Sequence, residues 1–140
     1  MLFENRKLDF IEIGKKLINA KLDGACKKYG ENHSKLAYEL NLVNLEKEKR
    51  YVVTNTKLGE FLVSIDYDTK KEILKRLWLR NPFIKEMIIR AKNGDCNYSE
   101  LASQYLSQST VLRRKSNVKY VLGYILEESN YEFILNNITW

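Results

Sequence analysis

The run Arg113-Arg114-Lys115-Ser116-Asn117-Val118-Lys119-Tyr120 concentrates groups that recognise nucleic acid. Phosphate oxygens call for cations and N–H donors, and base edges call for paired donors and acceptors. Arg113 offers a two-pronged donor fork, and Asn117 carries the amide that can pair with an adenine edge. On a helix turning about 100° per residue, Val111, Val118, Val121, Leu122 and Ile125 converge on one side. Arg113, Ser116, Asn117, Tyr120 and Tyr124 then point the other way, with Lys119 between the faces. Arg114 falls near the apolar side, so its guanidinium must reach outward along the surface or meet an acid. A plain solvated helix face would show the same pattern.

A weaker polar set lies earlier in the chain. Lys35 and Tyr38 would be exposed on a short helix, and Lys47, Lys49 and Arg50 would decorate the tip of a hairpin. Cations at such a tip ride on phosphate backbones, and they also keep an edge strand from pairing with another chain.

Catalysis has little to draw on. His33 is the one histidine, and Cys26 and Cys96 stand far apart with no C-x-x-C pairing, so neither a triad nor a zinc site is expected. There is no glycine-rich phosphate loop, and no cofactor is expected. Asp66-Tyr67-Asp68-Thr69-Lys70 offers carboxylates beside a lysine, as a metal-dependent nuclease would need. It reads better as a helix start, where acids face the positive end of the helix dipole. Both cysteines are expected as buried free thiols.

The net charge is +6, a bias toward polyanionic partners. It is unevenly spread: residues 1–69 hold twelve basic and eleven acidic side chains, and residues 70–119 hold twelve and four. No signal-peptide pattern opens the chain, and no run approaches the about 20 apolar residues of a membrane helix. The expectation is a cytoplasmic protein with no membrane partner.

The elements that must carry these residues follow from periodicity and punctuation. A helix is expected from Leu8 to Tyr29, broken near Gly24 and closed by Gly30. Asn32 or Ser34 would start a short helix through Leu40, and Asn41 would leave it in the left-handed conformation. Leu42 to Leu45 and Arg50 to Thr54 flank a charged tip as a hairpin, and Thr56 opens another helix. Further helices are expected at 69–80, 83–93, 99–105 and 109–127, with Asn81-Pro82 and Gly94 as breaks. Residues 130–138 would form a short strand or a second hairpin. This order predicts a mainly α chain of two consecutive winged-helix-like units with short β-hairpin wings, 1–65 and 66–140.

Glu12-Ile13-Gly14, Lys35-Leu36-Ala37-Tyr38-Glu39-Leu40-Asn41-Leu42-Val43, Tyr51-Val52-Val53-Thr54 and Leu58-Gly59 carry a resemblance, as do Asn81-Pro82 and Arg113-Arg114-Lys115-Ser116-Asn117-Val118. Together they resemble the tandem winged-helix modules attached to prokaryotic restriction-endonuclease-like and AAA-associated proteins. The resemblance implies a non-catalytic module that recognises duplex DNA in a restriction-modification or defence setting, alongside a nuclease or methyltransferase domain or subunit. Two other readings stay open: an adaptor docking a protein through Tyr120, Tyr124 and Trp140, and a homodimeric transcriptional repressor.

Overall fold

The computed structural model describes residues 7–19 and 21–140. The chain is mainly helical, with one three-stranded antiparallel sheet, and divides into two compact units, Met1–Lys70 and Lys71–Trp140. The division falls within a helix, whereas the sequence patterning suggests a boundary at 65/66.

In the first unit a two-residue strand, β1 (Leu8–Asp9), runs directly into α1 (Phe10–Leu17). Asp9 starts α1 through a capping box: its carboxylate accepts from the Glu12 N–H at 2.9 Å, and the Glu12 carboxylate accepts from the Asp9 N–H at 2.8 Å. Helix α2 runs uninterrupted from Asp23 to Glu39. The expected stop at Gly30 and restart at Asn32 or Ser34 are therefore wrong. Gly24 sits in the first turn of α2 rather than at a break.

Packing explains why Gly30 lies inside a helix. A Cβ at Gly30 would overlap the carbonyl oxygen of Phe10, and one at Gly14 would overlap the carbonyl oxygen of Cys26. The two glycines let α1 and α2 touch backbone to backbone, so their role is close approach and not chain reversal. Ile13, Cys26 and Leu62 are almost wholly buried in this unit.

Asn41 ends α2 with a φ of 58°, as expected, while the Leu42 N–H donates to the Ala37 carbonyl at 2.9 Å. The hairpin also forms as read, from β2 (Val43–Lys47) and β3 (Tyr51–Asn55), with Lys47 opposite Tyr51. β1 pairs with the other edge of β3, Leu8 opposite Val53; the helix expected from Leu8 thus begins two residues late. Two-residue strands have no periodicity to detect. Thr56 ties the hairpin to both neighbours. Its hydroxyl donates to the Asn41 carbonyl at 2.7 Å and accepts the Gly59 N–H at 3.0 Å, capping α3 (Lys57–Ser64).

Asp66 accepts from the Thr69 N–H at 2.9 Å at the start of α4 (Tyr67–Trp78). In the second unit Asn81 caps α5 (Pro82–Lys92) through the N–H groups of Phe83 and Ile84. Gly94 follows with φ of 135°. Then come β4 (Cys96–Asn97), α6 (Tyr98–Ala102) and α7 (Gln108–Leu126). Asn97, not Ser99, caps α6, accepting from the Glu100 N–H at 3.0 Å. Residues 132–137 form a 3-10 helix, and β5 (Ile138–Thr139) pairs with β4. That pairing is parallel, which a tight turn cannot connect. The tail therefore pairs back onto β4 and supplies no hairpin wing, contrary to the wing expected in each unit.

Tyr98 anchors this core. It is fully buried, its hydroxyl donates to the Val111 carbonyl at 2.6 Å, and its ring lies 5.3 Å from that of Trp140. Burial raises its phenol above the ordinary tyrosine range, only partly opposed by Arg114.

Gly14→Ala and Gly30→Ala should each destabilise the first unit by about 2 kcal/mol or more in urea unfolding. Gly123→Ala, where a Cβ meets nothing within 4 Å, should be neutral or stabilising by about 0.5–1 kcal/mol. Because the folded Tyr98 holds its proton more tightly than the unfolded chain, stability should be intact below the ordinary phenol pKa of about 10 and fall as pH rises beyond it. Tyr98→Phe should lose about 1 kcal/mol at neutral pH and lose this alkaline dependence, as read from melting temperature against pH.

Candidate functional site

Two polar surfaces, one in each unit, gather the side chains singled out above. In the first unit a groove of about 480 Å³ opens between the start of α1, the first half of α2 and the hairpin. Lys27 and Glu31 line it from α2; Lys47, Lys49, Arg50 and Tyr51 line it from the hairpin. Its floor is partly aromatic, since the Tyr51 ring stacks on Phe10 at 5.5 Å and Lys47 Nζ lies 5.9 Å from the Tyr51 centroid.

Both carboxylates at this groove are engaged. Arg50 Nη1 donates to Asp9 Oδ2 at 3.2 Å, and Lys35 Nζ pairs with Glu31 Oε1 at 2.5 Å. Burial pushes the Asp9 carboxyl up, but the Glu12 N–H and Arg50 guanidinium outweigh it and hold the pKa below the usual carboxylate range. Asp9 thus stays ionised and offsets Arg50. Among the described residues Lys27, Lys47 and Lys49 make no ion pair, so the groove keeps surplus positive charge.

Lys35 and Tyr38 are exposed, as expected, but on the second half of a long helix. Lys27 was not among the expected contacts. Its place on the Lys27-Glu31-Lys35 stripe shows at helical spacing only once the helix is known to continue through Gly30.

The second surface is α7. Arg113, Ser116, Lys119 and Tyr120 are exposed; Arg114, Lys115 and Asn117 are half-buried. Val111, Val118, Val121, Leu122 and Ile125 are buried on the opposite side. Lys119 lies between the faces, with Nζ 5.1 Å from the Trp140 ring centroid. Tyr124 departs from expectation: it is half-buried, and its hydroxyl donates to the Lys71 carbonyl at 3.4 Å. Gln108, Ser109 and Leu112, outside the expected contact set, are all exposed on the N-terminal half of α7, Leu112 to 72%.

The helix Gln108–Leu126 contains Arg113, Arg114, Lys115 and Lys119 and no aspartate or glutamate. Among the described residues none of these four cations is in an ion pair. A short helix, a turn at 103–107 and then this long basic helix bring one charged cylinder to the surface of the unit.

The nucleophile and metal-ligand types lie elsewhere. His33 Nδ1 is 3.0 Å from the Tyr29 carbonyl oxygen, and its ring stacks on Tyr29. Cys26 and Cys96 are buried in different units, and burial raises the Cys96 thiol pKa. Among the described residues no three His, Cys, Asp or Glu side chains group as metal ligands, and no helix is long and apolar enough to cross a membrane. No protein-family model matches the chain, and comparison with curated proteins and with solved structures finds no match.

Proposed function

We propose that this chain is a non-catalytic duplex-DNA-binding module, with α7 as its principal contact and the groove of the first unit as a second grip on phosphates. The observation that carries this reading is the charge of α7: four cations, no carboxylate on the helix, and among the described residues no ion pair to neutralise them. Concentrating like charge on one helix costs self-repulsion, which a polyanion relieves by exchanging its condensed counterions for the protein's cations. Arg113, Ser116 and Asn117 add the donors and acceptors that base edges need.

The order of β1, α1, α2 and the hairpin, with sheet order β1-β3-β2, supports a winged-helix reading of the first unit. There α2 would follow the groove and the hairpin would ride on the backbone. The second unit supports a wingless helix-turn-helix reading through α6 and α7. Service to a nuclease or methyltransferase partner in a cytoplasmic restriction or defence system rests on the sequence resemblance alone. A protein-docking role is favoured by one observation, the exposure of Leu112 and Tyr120 to 72% and 74% on α7.

The test is anisotropy with a labelled random-sequence duplex pool at two salt concentrations, with the bound fraction sequenced. Binding should weaken steeply as salt rises, whereas apolar docking would not. Arg113→Ala with Asn117→Ala should cost about tenfold or more and blur the enriched motif; unchanged binding removes α7 as the contact. Lys27→Gln and Lys49→Gln should each lower the salt slope by about 0.9 while leaving the preferred sequence unchanged.

A further inference from the structure

We propose that Leu112 makes this module selective for thymine-containing duplexes by packing against the 5-methyl groups exposed in the major groove; this rests on the duplex-DNA reading above. Leu112 is 72% exposed, and its chain neighbour Val111 is 4% exposed. The rotation of α7 is held there, because the buried Tyr98 hydroxyl donates to the Val111 carbonyl at 2.6 Å and Val111 occupies the core slot. Leu112 therefore cannot turn inward without breaking that bond and emptying the slot.

Gln108, Ser109 and Ser116 flank it at helical spacing on the same N-terminal half of α7, and Arg113, next in sequence, lies further round the same solvent side; all four are exposed. This surface presents one large apolar group among hydrogen-bonding groups, beside a guanidinium that is in no ion pair among the described residues. A partner that fits must be anionic at the rim and offer small apolar groups among donors and acceptors at its centre. The major groove of a duplex has this chemistry: it admits a helix, its walls are phosphate, and thymine is the base that presents a methyl group there.

The experiment uses the full chain and a duplex enriched from the random pool, synthesised once with thymine and once with uracil at every thymine position, which removes only the methyl groups. Wild type should bind the thymine duplex about fourfold tighter for each methyl group buried. Leu112→Ala, which should leave the melting temperature unchanged because the side chain is in solvent, should bind both duplexes equally. Arg113→Ala should weaken both duplexes and keep their ratio. Equal wild-type affinity for the two duplexes overturns the inference while leaving DNA binding intact, and so does a thymine preference that survives in Leu112→Ala. No salt-dependent binding to any duplex overturns the inference together with the reading it rests on.

Discussion

The first unit depends on two helices meeting backbone to backbone. Gly14 lies against the Cys26 carbonyl and Gly30 against the Phe10 carbonyl, leaving no room for even one methyl group at either place. This contact sets how close α1 comes to α2, and the other parts of the unit are positioned from it. Phe10, held at that crossing, is the ring on which Tyr51 stacks. Asp9, immediately before it, takes Arg50 from the hairpin turn. The basic groove thus exists because the helices are close enough for the hairpin to reach the start of α1 while still facing Lys27 on α2.

The second unit reaches a similar end by different means. No glycine is pressed at a crossing there; a Cβ at Gly94 or Gly123 would meet nothing nearby. The anchor is a tyrosine whose ring fills the core and whose hydroxyl reaches the backbone of the first turn of α7. A buried hydroxyl must find a partner, and in finding the Val111 carbonyl it orients the helix about its own axis. That orientation decides which residues of a basic helix face water.

In both units, then, the polar surfaces follow from uncharged packing. Many of the cations are not held by partners of their own. Lys27, Lys49, Arg113, Arg114 and Lys115 stand where the core geometry leaves them, and exposed ion pairs such as Lys7 with Glu48 contribute little stability. Binding capacity and folding stability are therefore carried by largely separate residues, and the surface charges can change with little effect on the fold.

Much of this was legible locally. The Thr56 cap, the left-handed Asn41, the hairpin around Glu48, the Asn81-Pro82 helix start and the inward valines of α7 each depend on a residue's own backbone preference or on a period of 3.6, which the sequence carries directly. Most of the polar face of α7 was readable for the same reason; the exceptions are Tyr124, which is half-buried, and Leu112, an apolar residue that composition alone assigns to a core. Tertiary structure decided the rest. Gly30 reads as a stop signal in isolation, and it became a helix interior because the energy of packing α2 on α1 exceeds glycine's modest cost in a helix, about 1 kcal/mol. Continuity through Gly30 then placed Lys27 and Lys35 on one stripe. The two-residue strands at both ends of the chain, and the parallel pairing that replaced a second wing, were settled by partners remote in sequence, which no local pattern encodes.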